Sequence, residues 1–91
     1  MTGIDRGSAT TLAMERVNAL AREAGIEFQL LNDATVEIAR GWVFFYNSAE
    51  YIRTGRQGSA LAGNGPILVT REGGIHHLPT AVPWEDNVDK V

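Results

Sequence analysis

The chain has 91 residues, no cysteine and a formal net charge of −3 at pH 7. This length predicts one domain with a modest core, and the lack of cysteine excludes disulfides and thiol chemistry. The acidic balance argues against nucleic acid or an anionic membrane surface as a partner, and no apolar run approaches the ~20 residues of a membrane span, so we expect a cytoplasmic protein.

The first predicted element is a helix over residues 8–24. Residues 1–7 are polar with two glycines and are expected to be flexible, which leaves residues 8–91 as the domain. Ser8 can cap the helix at its start, and Gly25 can end it in the left-handed conformation. An alanine-rich apolar stripe at spacings of three and four indicates the buried side: Ala13, Val17, Leu20 and Ala24.

The next predicted element is a strand over residues 26–31. Ile26, Phe28 and Leu30 alternate there with polar side chains, which indicates one buried face and one polar face. The turn-forming residues 32–34 follow the strand.

A second strand is predicted over residues 35–46, and it holds four of the seven aromatic side chains of the chain. Gly41 interrupts the pattern, which marks a bulge or a close approach of another backbone. Beyond it, Trp42, Phe44 and Tyr46 share one face, while apolar side chains also occupy the other face. A strand of this kind belongs in the middle of a sheet, covered on both sides.

A long connection over residues 47–65 contains a short helical turn at 49–53, which Asn47-Ser48 can cap and Thr54-Gly55 can end. Connections of this length are commonly functional. We expect its apolar side chains, Tyr51, Ile52 and Leu61, to fold over the second face of the sheet. If they do not, the exposed aromatic rings would form a binding patch.

The last strands, over residues 67–71 and 75–78, predict a hairpin with its turn at Glu72-Gly73-Gly74. A short helix over residues 84–91 follows Pro83. The predicted class is α+β: an N-terminal helix packed on a four-stranded antiparallel meander sheet, with the long 47–65 loop and a short C-terminal helix.

Few residues suggest chemistry. His76 and His77 are adjacent on a strand and point to opposite faces, so they do not easily share a metal ion. The turn at residues 63–66 lacks the third glycine and the following helix of a phosphate loop. No nucleophile, base and orienting group occur in a supporting context, so we expect no catalytic residue, no metal, no cofactor and no enzyme activity.

Two separated motifs carry a family resemblance. The first is Gly41-Trp42-Val43-Phe44-Phe45-Tyr46-Asn47-Ser48, followed by Tyr51 and Thr54-Gly55. The second is Leu61-Ala62-Gly63-Asn64-Gly65-Pro66-Ile67-Leu68-Val69, followed by Gly74-Ile75. In this order, over residues 36–83, they closely resemble the immunity protein 35 family, to which the bacterial YrhB-like proteins also belong.

The resemblance implies an α+β immunity protein that binds a cognate toxin of a bacterial polymorphic toxin system and blocks its active site, with papain-like toxin domains among the partners. The YrhB side of the resemblance implies a small chaperone or a general interaction module instead. The family signature maps to Gly41, Trp42, Phe44, Tyr46, Gly63, Gly65 and Pro66.

Two interpretations of the surface remain open. In one, the 47–65 loop and the glycine turn meet the toxin, with acidic groups facing a basic rim, and the candidate contact residues are Glu50, Tyr51, Arg53, Asn64 and Glu72. In the other, which we favour, the signature residues serve packing, with Trp42 stacked on glycine backbone. An unpaired sheet edge also offers a route to a homodimer or to strand addition.

Overall fold

The computed structural model describes residues 3–61, 65–79, 83–86 and 88. Within these ranges, α1 is followed by six strands, with a short helix between the fourth and fifth. The elements are α1 (Arg6–Ala24), β1 (Phe28–Leu30), β2 (Val36–Ile38), β3 (Gly41–Phe44), β4 (Tyr46–Ser48), α2 (Ala49–Thr54), β5 (Ile67–Thr70) and β6 (Ile75–His77). None of the described helices has the combined length and apolarity that crossing a bilayer requires.

The strands form two antiparallel sheets. A four-stranded sheet has the order β2-β3-β5-β6, and a two-stranded sheet pairs β1 with β4. The α+β class, with an N-terminal helix packed on a four-stranded antiparallel sheet, is confirmed. The strand membership differs, because the predicted strand over residues 35–46 folds as β2, β3 and the start of β4, and β1 pairs across the chain with β4.

Gly41 follows a tight turn at residues 39–40 rather than forming a bulge. The predicted close approach of another backbone is confirmed, since a Cβ atom at Gly41 would lie 2.0 Å from the carbonyl oxygen of Val69. Glycine at this position therefore lets β5 pair closely with β3.

β3 is buried along its whole length, as predicted for a central strand. Trp42 and Phe44 face α1 and form one core cluster with Ala9, Ala13 and Val17 of that helix. Tyr46 joins the same cluster from β4, so the predicted alternation of faces is confirmed even though the strand breaks at residue 45.

The second face of the sheet is covered by the C-terminal part of the chain. Leu78, Val88 and Trp84 pack there against Val43 and Leu68, and the Trp84 ring meets Phe45 edge-on at 6.3 Å between centroids. The expectation that the 47–65 loop covers this face is wrong, because its Leu61 packs on the α1 side. Of the predicted helix over 84–91, the described part is a 3-10 turn, Trp84–Asp86, and residues 87 and 89–91 lie outside the described ranges.

α1 begins two residues earlier than predicted, because Asp5 rather than Ser8 caps it. The Asp5 Oδ1 atom accepts the Ser8 N–H at 2.8 Å, and this backbone hydrogen bond lowers the pKa of the Asp5 carboxyl. Gly25 ends the helix with φ 75°, as predicted. Ala24 lies outside the buried stripe because it sits exposed in the last turn.

Arg71, just after β5, connects three segments. Its guanidinium lies 4.8 Å from the centroid of the Trp42 ring and donates hydrogen bonds to the carbonyls of Ile38 and Ala39 at 2.8 and 2.9 Å. The same guanidinium pairs with Glu37 at 3.0 Å, and the Arg71 carbonyl accepts the Ile4 N–H at 2.7 Å. The indole N–H of Trp42 has no hydrogen-bond partner among the described residues, so packing and the cation above its ring hold it.

Replacing Trp42 with alanine is expected to lower the free energy of unfolding by ~3–5 kcal/mol, because it empties a fully packed site. Urea unfolding measures the change. The control is Val36→Ala, at a position with 36% exposure, where a loss below about 1 kcal/mol is expected. A Trp42→Ala variant as stable as this control would contradict the core role.

A hydrogen bond between Arg16 and His77 joins α1 to β6. Arg16 Nη1 lies 3.0 Å from His77 Nε2, and since arginine can only donate, the histidine accepts and is neutral. Partial burial, and then the Arg16 charge, lower the pKa of His77 below its ordinary value of 6.5.

Acidification is therefore expected to destabilise the fold through His77. Below about pH 6.5 the unfolded chain takes up the proton first, so the free energy of unfolding falls as the pH drops towards the lowered pKa of the folded state. Urea unfolding between pH 7 and pH 5 measures this slope. His77→Gln should reduce this pH dependence of the free energy of unfolding, and His76→Gln should not. An unchanged pH dependence in His77→Gln would show that another group causes it.

Candidate functional site

The candidate site is the segment from residue 47 to residue 61, which contains α2 and the 3-10 turn Gln57–Ser59. The Ser48 Oγ atom accepts the Tyr51 N–H at 3.0 Å, so it caps α2 as predicted. Gly55 ends α2 with φ 73°, and its N–H bonds to the Tyr51 carbonyl. Local capping explains why a helix of only six residues forms here.

Asn47 and Ser48 also hold the far end of the segment. The Asn47 Oδ1 atom accepts the N–H groups of Ser48 and Leu61, both at 2.8 Å, and the Ser48 hydroxyl donates to the Ser59 carbonyl at 2.5 Å. The Ser59 hydroxyl in turn donates to the Glu50 carboxylate. The segment is therefore closed on itself at the end of β4.

An open groove of about 550 Å³ lies beside this segment. Its walls are residues 26–27, 48–50, 53 and 58–61. Glu27, Glu50 and Arg53 bring two carboxylates and one guanidinium to it, and Ile26 on its rim is 50% exposed. A second hollow of about 620 Å³ is lined by Ile52 and residues 29–34, so α2 contributes to both. The groove can accept a polypeptide side chain or a short segment.

Of the predicted contact residues, Glu50, Tyr51 and Arg53 lie together on α2. Glu50 and Arg53 are exposed, and Tyr51 is half-buried. Asn64 lies outside the described residues.

Glu72 is exposed in the β5–β6 turn, away from α2. It follows Thr70, which pairs with Gly41 at one end of β3, whereas β4 and α2 follow Phe44 at the other end. The acidic groups Glu50 and Glu72 therefore do not form one rim, and the groove carboxylate next to Glu50 belongs to Glu27.

The signature positions that the structure describes lie in or against the core. Trp42, Phe44 and Tyr46 are buried, and Gly65 packs so tightly that a Cβ atom there would lie 1.6 Å from the Leu78 carbonyl oxygen. The Pro66 carbonyl accepts the Leu78 N–H at 2.9 Å. Gly63 lies outside the described residues, and the group that stacks on Trp42 is the Arg71 side chain.

Ile26, Glu27 and Ser59 are groove residues that sequence reasoning did not select. Ile26 was expected on the buried face of a strand, but the strand begins at Phe28 and leaves Ile26 exposed. The usable signal was Gly25, because a helix cap directly before Ile26 and Glu27 places both ahead of the strand, which begins at Phe28. Ser59 carried no signal beyond its polarity.

Comparisons with known proteins agree with these motifs. A family model described as immunity protein 35 matches residues 10–91. The uncharacterized protein YrhB of Escherichia coli strain K12 is 39% identical over 49 residues, which are 53% of this chain and 52% of that protein. The chain thus spans about half the length of this curated relative. No solved structure matches the chain.

Replacing Asn47 with alanine is expected to loosen the segment, because two backbone N–H groups lose their acceptor. Removing one partner of a buried hydrogen bond costs about 1–3 kcal/mol, and faster amide exchange at Leu61 and Ser48 should accompany the loss. Asn47→Asp keeps the accepting oxygen and is the matched control. Equal exchange in both variants would show that the Asn47 side chain does not close the segment.

Proposed function

The chain belongs to the immunity protein 35 family, and we propose that it binds a cognate bacterial toxin and neutralises it by blocking the toxin's active site. Membership implies an immunity protein, and the family match over residues 10–91 is the observation that carries the proposal. In this role the protein acts by binding and not by catalysis. It would work in the cytoplasm, where newly made toxin threatens the producing cell.

The part proposed to meet the toxin is the surface of α2 and the groove beside it. The second face of the four-stranded sheet is covered by the C-terminal part of the chain, so the 47–61 segment is not needed there, and its Leu61 packs on the α1 side. Its capped helix carries the exposed Glu50 and Arg53, and its closure fixes their positions before binding. A pre-ordered surface loses little conformational entropy on binding, which favours tight inhibition.

Papain-like toxin domains are the partner class that the resemblance suggests. In this mechanism α2 occupies the mouth of the substrate cleft and excludes the substrate by its volume. Binding of that kind needs no chemistry from the inhibitor, only a rigid surface of the right shape and charge.

A chaperone is the alternative, which the resemblance to the YrhB-like proteins implies. A chaperone needs a continuous exposed apolar surface. Among the described residues the large exposed apolar side chains are Met14, Ile26 and Val36, on α1, before β1 and on β2. These three side chains lie on different elements, which favours binding of one specific partner.

The test co-expresses the chain with the product of the neighbouring open reading frame. Rescue of growth, together with a one-to-one complex formed with a catalytically inactive form of that protein, is the expected result. Suppression of aggregation of unrelated unfolded proteins, without rescue, would favour the chaperone. The absence of both activities would refute the proposal.

Within this assay, Arg53→Glu is expected to weaken toxin binding by about tenfold or more without changing the melting temperature, because Arg53 is exposed on the groove wall. The matched control is Arg6→Glu, which makes the same charge change in the first turn of α1. Binding and melting are measured by titration calorimetry and thermal unfolding. Equal affinity in the two variants would place the interface elsewhere.

A further inference from the structure

β1 presents an unpaired edge whose hydrogen-bonding groups can be assigned. Its strand neighbour is β4, with Gln29 opposite Asn47. On either side of this pair, the Glu27 carbonyl accepts from Ala49 and the Leu31 N–H donates to Phe45. Since bonded and non-bonded pairs alternate in antiparallel strands, Gln29 bonds to β4, and the backbone groups of Phe28 and Leu30 point away from it.

The outer edge of β1 is unbonded and is bordered by hollows. No hydrogen bond joins the outward N–H and C=O groups of Phe28 and Leu30 to any part of the chain within the described ranges. The groove lies at the Glu27 end of β1, and the hollow beside Ile52 lies at the other end. A smaller hollow of about 150 Å³ runs beside the strand, under Met14 and Asn18 of α1.

We propose that the edge of β1 receives an extended segment of the toxin as an added strand, and that a cationic side chain of this segment enters the groove. This inference rests on the proposed function and names the way in which the partner docks. The outward groups of Phe28 and Leu30 supply two donors and two acceptors for strand addition. α2 borders the same groove, so one partner can contact both surfaces.

Charge favours a cation in the groove. Among the residues that line the groove, Glu27 and Glu50 supply two carboxylates against one guanidinium, that of Arg53, and the whole chain carries a net charge of −3. The rim also offers the exposed side chain of Ile26, on which the aliphatic stem of a lysine or arginine can pack.

A second copy of the chain fits the edge less well than a bare strand. Antiparallel pairing of two β1 strands would place both α1 helices on the same face of the joined sheet. Paired strands are ~4.8 Å apart, whereas packed helices need about 8–10 Å, and α1 packs against β1. A three-residue edge also buries much less than the roughly 1,200 Å² of a stable dimer.

Amide hydrogen exchange tests the edge directly. In the free protein, the N–H groups of Phe28 and Leu30 should exchange at least about tenfold faster than that of Gln29, which is bonded to β4. In the complex with the inactive form of the neighbour-encoded toxin, they should become as protected as Gln29. Protection of all three amides in the dilute free protein would show that the edge is already covered and would overturn the inference.

The groove is tested with Glu27→Lys, which should weaken toxin binding by about tenfold or more and leave thermal unfolding unchanged, because Glu27 is exposed. The matched control, Glu85→Lys, makes the same charge reversal at an exposed position of the 3-10 turn Trp84–Asp86, outside the groove lining, and should bind as the wild type does.

The outcomes separate the two proposals. Rescue and binding by the wild type, with no protection at Phe28 and Leu30 and full affinity in Glu27→Lys, would refute strand addition and leave the immunity function standing. Absence of rescue and of binding refutes the function and the docking that rests on it. If protection of the Phe28 and Leu30 amides increases with protein concentration in the absence of toxin, the partner at this edge is a second copy of the chain.

Discussion

Strand β3 is apolar on both faces, and the rest of the fold supplies a cover for each. α1 covers one face through small side chains, Ala9 and Ala13, which let the helix approach the sheet closely. The other face is covered by Leu78, Trp84 and Val88 from the end of the chain. Because these two groups of side chains bury both faces, the segment between β4 and β5 does not have to pack on the second face and can carry exposed charged residues.

Local sequence patterns identified the elements whose signal lies within a few residues. The alternation of faces along residues 42–46, the capping glycines Gly25 and Gly55 and the turn at Gly73 each follow from geometry that neighbouring residues decide. The α+β class followed from the order of these elements. The start of α1, capped by Asp5, and the exposure of Ile26 were missed although their signals are local. The other expectations failed where the deciding contacts join residues far apart in the chain.

The pairing of β1 with β4 and the identity of the second cover are such contacts. Residues 35–46 look like one strand in isolation, but β3 ends at Phe44 and β4 leaves the four-stranded sheet to pair with β1. For the site, the short helix and its charged residues were predictable from Ser48 and Gly55. The groove was not predictable, because the β1–β4 pairing is what brings Glu27 to it. The distance between Glu50 and Glu72 was not predictable either, because it depends on the β3–β5 register.

The contacts of Arg71 have a consequence for the order of folding. Its side chain bonds to carbonyls 32 and 33 residues away, and its own carbonyl holds Ile4. These bonds form only when the β2–β3 turn, the end of β5 and the start of the chain have already met, so the entropy of closing those loops is lost first. We therefore expect Arg71 to act late on the folding pathway. Its contacts should mainly slow unfolding and should make the start of the chain open together with the sheet.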